Sequence, residues 1–176
     1  MNSFDLEIWD DEGGKCTFYT VYKADATHSE TDKFFTRYEE STHAFHDDAN
    51  LLLRFILTNI GDKYGAIDAF FDRQENKAVA LPPKPKKWIP EIEEIGPNFP
   101  LRLYCFRISS SIVVLFNGGI KDAATAQASR DLSFVFYEAQ VFAQTIMNNL
   151  CDMAINLTAD GRYLEDYDGH TNKITL

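Results

Sequence analysis

The chain has 176 residues, 27 acidic and 17 basic, for a formal net charge of −10 and a pI near 4.8. That balance argues against a protein that binds nucleic acid by neutralising many phosphates, which needs net positive charge. With 45% hydrophobic and 14% aromatic residues, the chain has the apolar side chains a core needs and is not a disordered segment. Its length suits one domain spanning 1–176.

Residues 1–24 read as an acidic β-hairpin. Phe4, Leu6 and Ile8 alternate with polar neighbours, Asp10 to Gly14 form a turn, and Phe18 to Tyr22 are aromatic and β-branched. Residues 30–72 read as helices. Ser29 or Thr31 caps a first helix through Ser41, with Phe34, Phe35 and Tyr38 on one face. Phe45, Ala49, Leu52, Leu53, Ile56 and Ile60 predict a second helix over 43–60, stopped by Gly61. A shorter helix is expected around Ile67, Phe70 and Phe71.

Residues 78–121 carry the sheet signal. Ala78 to Leu81 form a short strand, and residues 82–100, with five of the six prolines, form a long loop. Leu101 to Ile108 and Ser111 to Phe116 form a strand pair around a tight Ser109-Ser110 turn. The second strand is a continuous apolar run, as expected of a central strand buried on both faces. Asn117-Gly118-Gly119-Ile120-Lys121 reads as a flexible exit turn. A long amphipathic helix is expected over 131–157, with Leu132, Val135, Ala139, Phe142, Ile146, Leu150 and Ala154 on its buried stripe. Residues 158–176 read as an acidic tail in which Ile174 and Leu176 can make a short strand. The fold class is α+β, an antiparallel β-sheet packed by helices on one face, with an N-terminal hairpin and a long C-terminal helix.

The acidity is uneven. Residues 1–50 hold 12 acids and 4 bases, 51–100 hold 7 of each, 101–150 hold 3 and 4, and 151–176 hold 5 and 2. Both ends are acidic and residues 51–150 are close to neutral. The longest apolar run, Ile112 to Phe116, is far short of the ~20 residues that span a bilayer. The N-terminus has no basic stretch and no apolar core of a signal peptide, so a cytoplasmic protein with no membrane partner is expected. Cys16, Cys105 and Cys151 have no metal-site spacing and read as small buried hydrophobes.

Helices, a strand opening Leu101-Arg102-Leu103-Tyr104, a tight turn, the strand Val113-Val114-Leu115-Phe116, an exit with Lys121 and a final helix make a familiar order. It resembles the RelE/HigB-like toxins of bacterial toxin–antitoxin systems, over roughly residues 45–150. Ala124-Thr125-Ala126-Gln127 falls where that family often has Thr and Gln. The resemblance implies a RelE-like core and a metal-independent ribonuclease, without cofactor, that cleaves ribosome-bound mRNA and is silenced by a protein antitoxin. It implies catalytic roles for Arg102, Lys121 and Tyr104, with Arg107 nearby. Cationic side chains suit such a site because RNA self-cleavage builds charge on phosphorus. By alternation, Arg102 and Tyr104 share one face of their strand and Arg107 takes the other. The alternative is a non-enzymatic protein-interaction domain of the same fold.

Other constellations point elsewhere. Lys84-Pro85-Lys86-Lys87-Trp88 joins bases to an aromatic and can touch RNA or a partner. The competing reading is a solvated loop with Trp88 tucked on the core. Asn117-Gly118-Gly119 can offer backbone amides to an anion. His43 and His46 are one turn apart beside Asp47, a spacing that can hold a metal, but no third ligand is identifiable. Asp68, Asp72 and Glu75 read as a charged solvent face.

Overall fold

The computed structural model describes residues 3–122 and 126–176, leaving aside the side chains of Ala126 and Gln127. Ala124 and Thr125 of the sequence motif lie outside the described residues, and nothing is said of the side chains of Ala126 and Gln127. Seven strands form the main sheet in the order β3-β4-β5-β6-β2-β1-β9. Their ranges are β1 Phe4–Asp10, β2 Thr17–Lys23, β3 Gln74–Glu75, β4 Ala78–Leu81, β5 Leu101–Ser109, β6 Ile112–Ile120 and β9 Lys173–Thr175. A separate hairpin pairs β7 Ile155–Leu157 with β8 Leu164–Asp166.

The N-terminal hairpin forms as its alternation predicts, with Leu6 opposite Val21. Every neighbouring pair in the main sheet is antiparallel except β2 and β6, which run parallel with Thr20 opposite Leu115. Between them the chain makes α1 Glu30–Thr36 and α2 His46–Arg54. Ser29 Oγ accepts the Asp32 N–H at 3.0 Å, as an N-cap does, but α1 ends at Thr36 rather than at Ser41.

The second predicted helix changes character midway. It starts at His46, then widens into a π-helical stretch over Phe55–Tyr64 and stops at Gly65, whose φ is +79°. The wider turn keeps Phe55 and Ile60, five residues apart, on the buried side. Gly61 O then accepts from Lys15 and Cys16, and a Cβ on Gly13 would lie 2.2 Å from that oxygen. Only glycine allows the hairpin turn to rest there. The helix expected near Ile67 is a single 3-10 turn, Asp68–Phe70. Within the expected loop, Pro90 opens a short helix, α3 Pro90–Ile95, as proline can at a first helical position.

The long helix, α4 Ala126–Cys151, ends six residues before its predicted limit, and Ile155 onward pairs as β7. The tail is not loose: β9 pairs with β1, and Phe4 and Leu176 exchange backbone bonds of 3.1 and 2.9 Å.

The class is α+β, with a mostly antiparallel sheet and a long C-terminal helix. The helices do not all share one face. On the first, Phe18, Leu103, Cys105, Val113 and Leu115 pack against Phe34, Ile56, Ile60 and Ile92 from α1 to α3. On the second, Tyr19, Tyr104, Val114 and Phe116 pack against Ala139, Phe142 and Ile146 of α4 and Leu164 of β8. The cause is legible in β6, which is apolar on both sides and needs cover on both. Among the described residues no helix is long and apolar enough to cross a membrane.

Candidate functional site

The parallel pair positions a crevice. From the C-terminal end of β2 the chain enters α1 on the first face. From the same end of β6 it goes to α4 on the second. Such a divergence leaves a gap between the two connections, which is why open α/β sheets place ligands at switch points. Here a cavity of about 260 Å³ opens there. Arg37 and Tyr38 line it from the end of α1, Gly118, Gly119 and Ile120 from β6, and Leu132 from α4.

A β-bulge shapes its wall. Leu103 opposes Gly118 but Cys105 opposes Leu115, so Phe116 and Asn117 together face Tyr104. Bulges re-aim side chains. Asn117 Oδ1 accepts from its neighbour Gly118 at 2.8 Å and from Arg37 at 3.3 Å, while its Nδ2 donates to Glu30 at 3.4 Å. Arg37 also donates to Gly118 O at 3.0 Å. A Cβ at Gly118 would lie 1.9 Å from Arg102 O, so the bulge requires glycine. The predicted exit turn is therefore strand up to Ile120, and the Gly118 amide is engaged rather than offered to an anion.

A charge network runs inward from this wall. Glu30 is only 2% exposed and takes Lys33 at 2.7 Å and Lys23 at 3.7 Å. Lys23 also meets Glu138 of α4 at 2.5 Å, tying both faces together. A buried carboxylate needs such partners, because desolvation of an unpaired charge costs several kcal/mol.

The sequence-predicted residues are dispersed around this crevice. Lys121 directly follows its β6 wall and is exposed, its N–H donating to Pro100 O at 2.7 Å. Arg102, opposite Gly119, is 7% exposed and donates from one guanidinium nitrogen to Phe99 O at 2.9 Å and Leu101 O at 2.8 Å. Burial, then Arg73 nearby, lowers its pKa from the ordinary arginine value. Tyr104 is buried edge-on against Phe136 of α4, and burial raises its phenol pKa. The structure brings Arg102 and Lys121 to one end of the β5–β6 pair and places Tyr104 inside the second core layer. Arg107 takes the opposite face, as alternation requires. It donates to Ala66 O at 2.6 Å and pairs with Asp68 at 3.1 Å.

In the proline loop, Lys86 pairs closely with Asp72, which also accepts the Lys84 N–H at 3.0 Å. Lys84 and Lys87 are exposed. Trp88 is not tucked on the core: it is 70% exposed, while Ile89 and Ile92 of the next turn fill the apolar space instead.

The histidine pair is engaged by its own surroundings. His46 Nδ1 lies 2.8 Å from Tyr38 O and its Nε2 3.0 Å from Asn50, while His43 Nδ1 accepts the Phe45 N–H. Among the described residues no group of three or more His, Cys, Asp or Glu is placed to hold a metal. Asp68, Asp72 and Glu75 sit on a 3-10 turn, a loop and β3, not on one helix face. Cys16 and Cys105 are buried, with the Cys16 thiol pushed up to about 12 by burial, whereas Cys151 is exposed at the end of α4.

Sequence reasoning missed Glu30 and Arg37. They lie over 80 residues from Asn117, and no local pattern links them. The visible signal was the Asn117-Gly118-Gly119 run, read as a turn. Comparison of the chain with protein-family models, curated proteins and solved structures finds no match.

Proposed function

We propose that the chain is a RelE/HigB-like toxin-type protein, an mRNA-cleaving ribonuclease held in check by a protein antitoxin, with its working surface at the β6 crevice. One observation carries this reading. The segment on which the resemblance rests, ending Gly118-Gly119-Ile120-Lys121, forms a wall of the cavity that Arg37 also lines. Cationic groups there would suit an RNA phosphate on which charge builds as the 2′-hydroxyl attacks. Arg37 extends the family's expected pair of Arg102 and Lys121, and takes the more open position of the two arginines.

A second reading is a non-enzymatic interaction domain of the same fold. The engagement of Arg102 by Phe99 and Leu101 and the burial of Tyr104 favour it. Induced expression of the untagged protein separates the two. The ribonuclease reading expects growth arrest, cleavage of translated mRNA, and relief by Lys121→Ala or Arg37→Ala with a loss of roughly 10²–10³ in cleavage rate. Unimpaired growth with abundant folded protein would overturn it and leave the interaction domain.

A further inference from the structure

The outer side of α4 is unlike the rest of this acidic molecule. From Leu132 to Cys151 the helix has one charged residue, Glu138, and that carboxylate is turned to Lys23. Ala139, Phe142, Ala143 and Ile146 face the sheet. Diametrically opposite lie Phe134, Tyr137, Val141, Gln144, Asn148 and Cys151. Their spacing alternates three and four residues, the repeat of a helix–helix seam. Phe134 is 59% and Tyr137 64% exposed, although Lys23 Nζ lies 5.6 Å over the Phe134 ring. A shallow depression at the middle of this side is bordered by Val141, Gln144 and the Asn76-Lys77 turn.

We propose that this side of α4 is the interface with a second copy of the chain, packed as an antiparallel helix pair about a two-fold axis between residues 142 and 143. Two features of the molecule select that occupant. The first is charge. At −10, two copies repel each other over most of their surface, and a seam without exposed charge is where they can meet without that cost. A basic partner would find no complement on this side. The second is register. An antiparallel pair layers the first position of one helix on the fourth of the other. About this axis Phe134 meets Cys151 of the second copy, Tyr137 meets Asn148, and Val141 meets Gln144. Every seam residue then has a partner, as a self-complementary two-fold interface demands. Phe134 covers a small thiol and the Tyr137 hydroxyl can donate to an amide oxygen. The inference is independent of the ribonuclease reading, since the crevice lies toward the other side of the helix.

The test is light scattering across a concentration series, combined with cysteine cross-linking of the full chain. The wild type should be a dimer, and Phe134→Glu should weaken it roughly ten-fold or more without altering the circular dichroism. Under mild oxidation Phe134→Cys should link to Cys151 of the second copy, while Phe134→Cys with Cys151→Ser should stay unlinked. The wild type should not link, because its own two Cys151 residues would sit roughly 25 Å apart at 1.5 Å per residue, beyond the ~7 Å reach of a disulfide. A monomer at roughly 100 µM overturns the proposal. So does a dimer that Phe134→Glu leaves intact, or one in which Phe134→Cys links only to itself or to nothing.

Discussion

The two faces of the sheet are covered in different ways. The first is sealed by short, broken pieces, α1, α2 with its π-helical extension, and α3, whose aromatic side chains fill a deep layer. The second is covered by one straight run, α4, with the β7–β8 hairpin beside it. Patchwork cover leaves few long free surfaces, because each piece is anchored at both ends. A single long helix has a buried side and an outer side of equal length, so the second face leaves a continuous surface available. It also leaves the crevice, which opens where the patchwork and the long helix part company.

Two truncations test whether these faces belong to one cooperative unit. Phe18 and Phe142 are both buried, one in each layer. Phe18→Ala and Phe142→Ala should each destabilise by about 3–5 kcal/mol, from lost burial and the cavity left behind. Urea unfolding should stay a single transition with an unchanged slope in both. A biphasic curve for Phe142→Ala alone would mean that α4 peels away first and that the second face is a separate layer of stability.

A smaller effect is expected at the boundary between the faces. Gly118→Ala puts a methyl group onto Arg102 O, so the bulge must open. The expected cost is about 1–3 kcal/mol, and Arg37 should lose its contacts with Gly118 and Asn117. Asn117→Ala leaves the strand spacing intact but removes the acceptor and donor between Arg37 and Glu30. If the bulge sets the crevice, Gly118→Ala should disturb the amide resonances of both α1 and β5, and Asn117→Ala mainly those of α1. Equal, local disturbances in the two variants would show that the bulge is incidental.

These elements were unequally readable in the sequence. The hairpin pairs announced themselves because Leu6 and Ile8 alternate, and because Val113 to Phe116 sit two residues from their partner strand. The cap at Ser29 followed from side-chain chemistry. The parallel union of β2 and β6 had no local signature, since it joins segments about 95 residues apart through intervening helices. With it went the crevice, Glu30 and Arg37. The tail misled by being polar: Ile155, Leu164 and Ile174 are its buried residues, one in each short strand. In the proline loop, Trp88 drew the assignment of core contact by its size, whereas Ile89 and Ile92 make it. Lys121 was placed correctly at a strand end, but four residues of strand had been read as turn.

The smallest expected effect distinguishes how each face is pinned by charge. On the first face Lys63 pairs with Glu91 at 2.6 Å; the lysine is shifted up and the carboxyl down, mainly by their mutual hydrogen bond. That pair changes protonation only toward the ends of the pH scale. Beside the second face, the loop after β8 is closed by Asp166, which accepts from the Asp168 and His170 amides and pairs with His170 Nδ1 at 2.9 Å. The hydrogen bond from Asp166 raises the His170 pKa, and the amide and imidazole donors lower that of Asp166. A raised histidine stabilises fully below its unfolded value of about 6.5 and loses that contribution as pH rises through its folded value. The lowered carboxyl stabilises above about 3.9 and fails as pH falls through its own folded value. The loop should therefore be tightest between these limits and loosen above neutrality. An imidazole titration by NMR should place His170 above the ordinary value, and Asp166→Asn should return it there. Amide exchange in β8 and β9 should then quicken between pH 6 and 8 in the wild type, on the order of two-fold for so exposed a pair, and lose that pH dependence in Asp166→Asn. A His170 that titrates identically in both proteins would place the closure of this loop in the Asp166 backbone bonds alone.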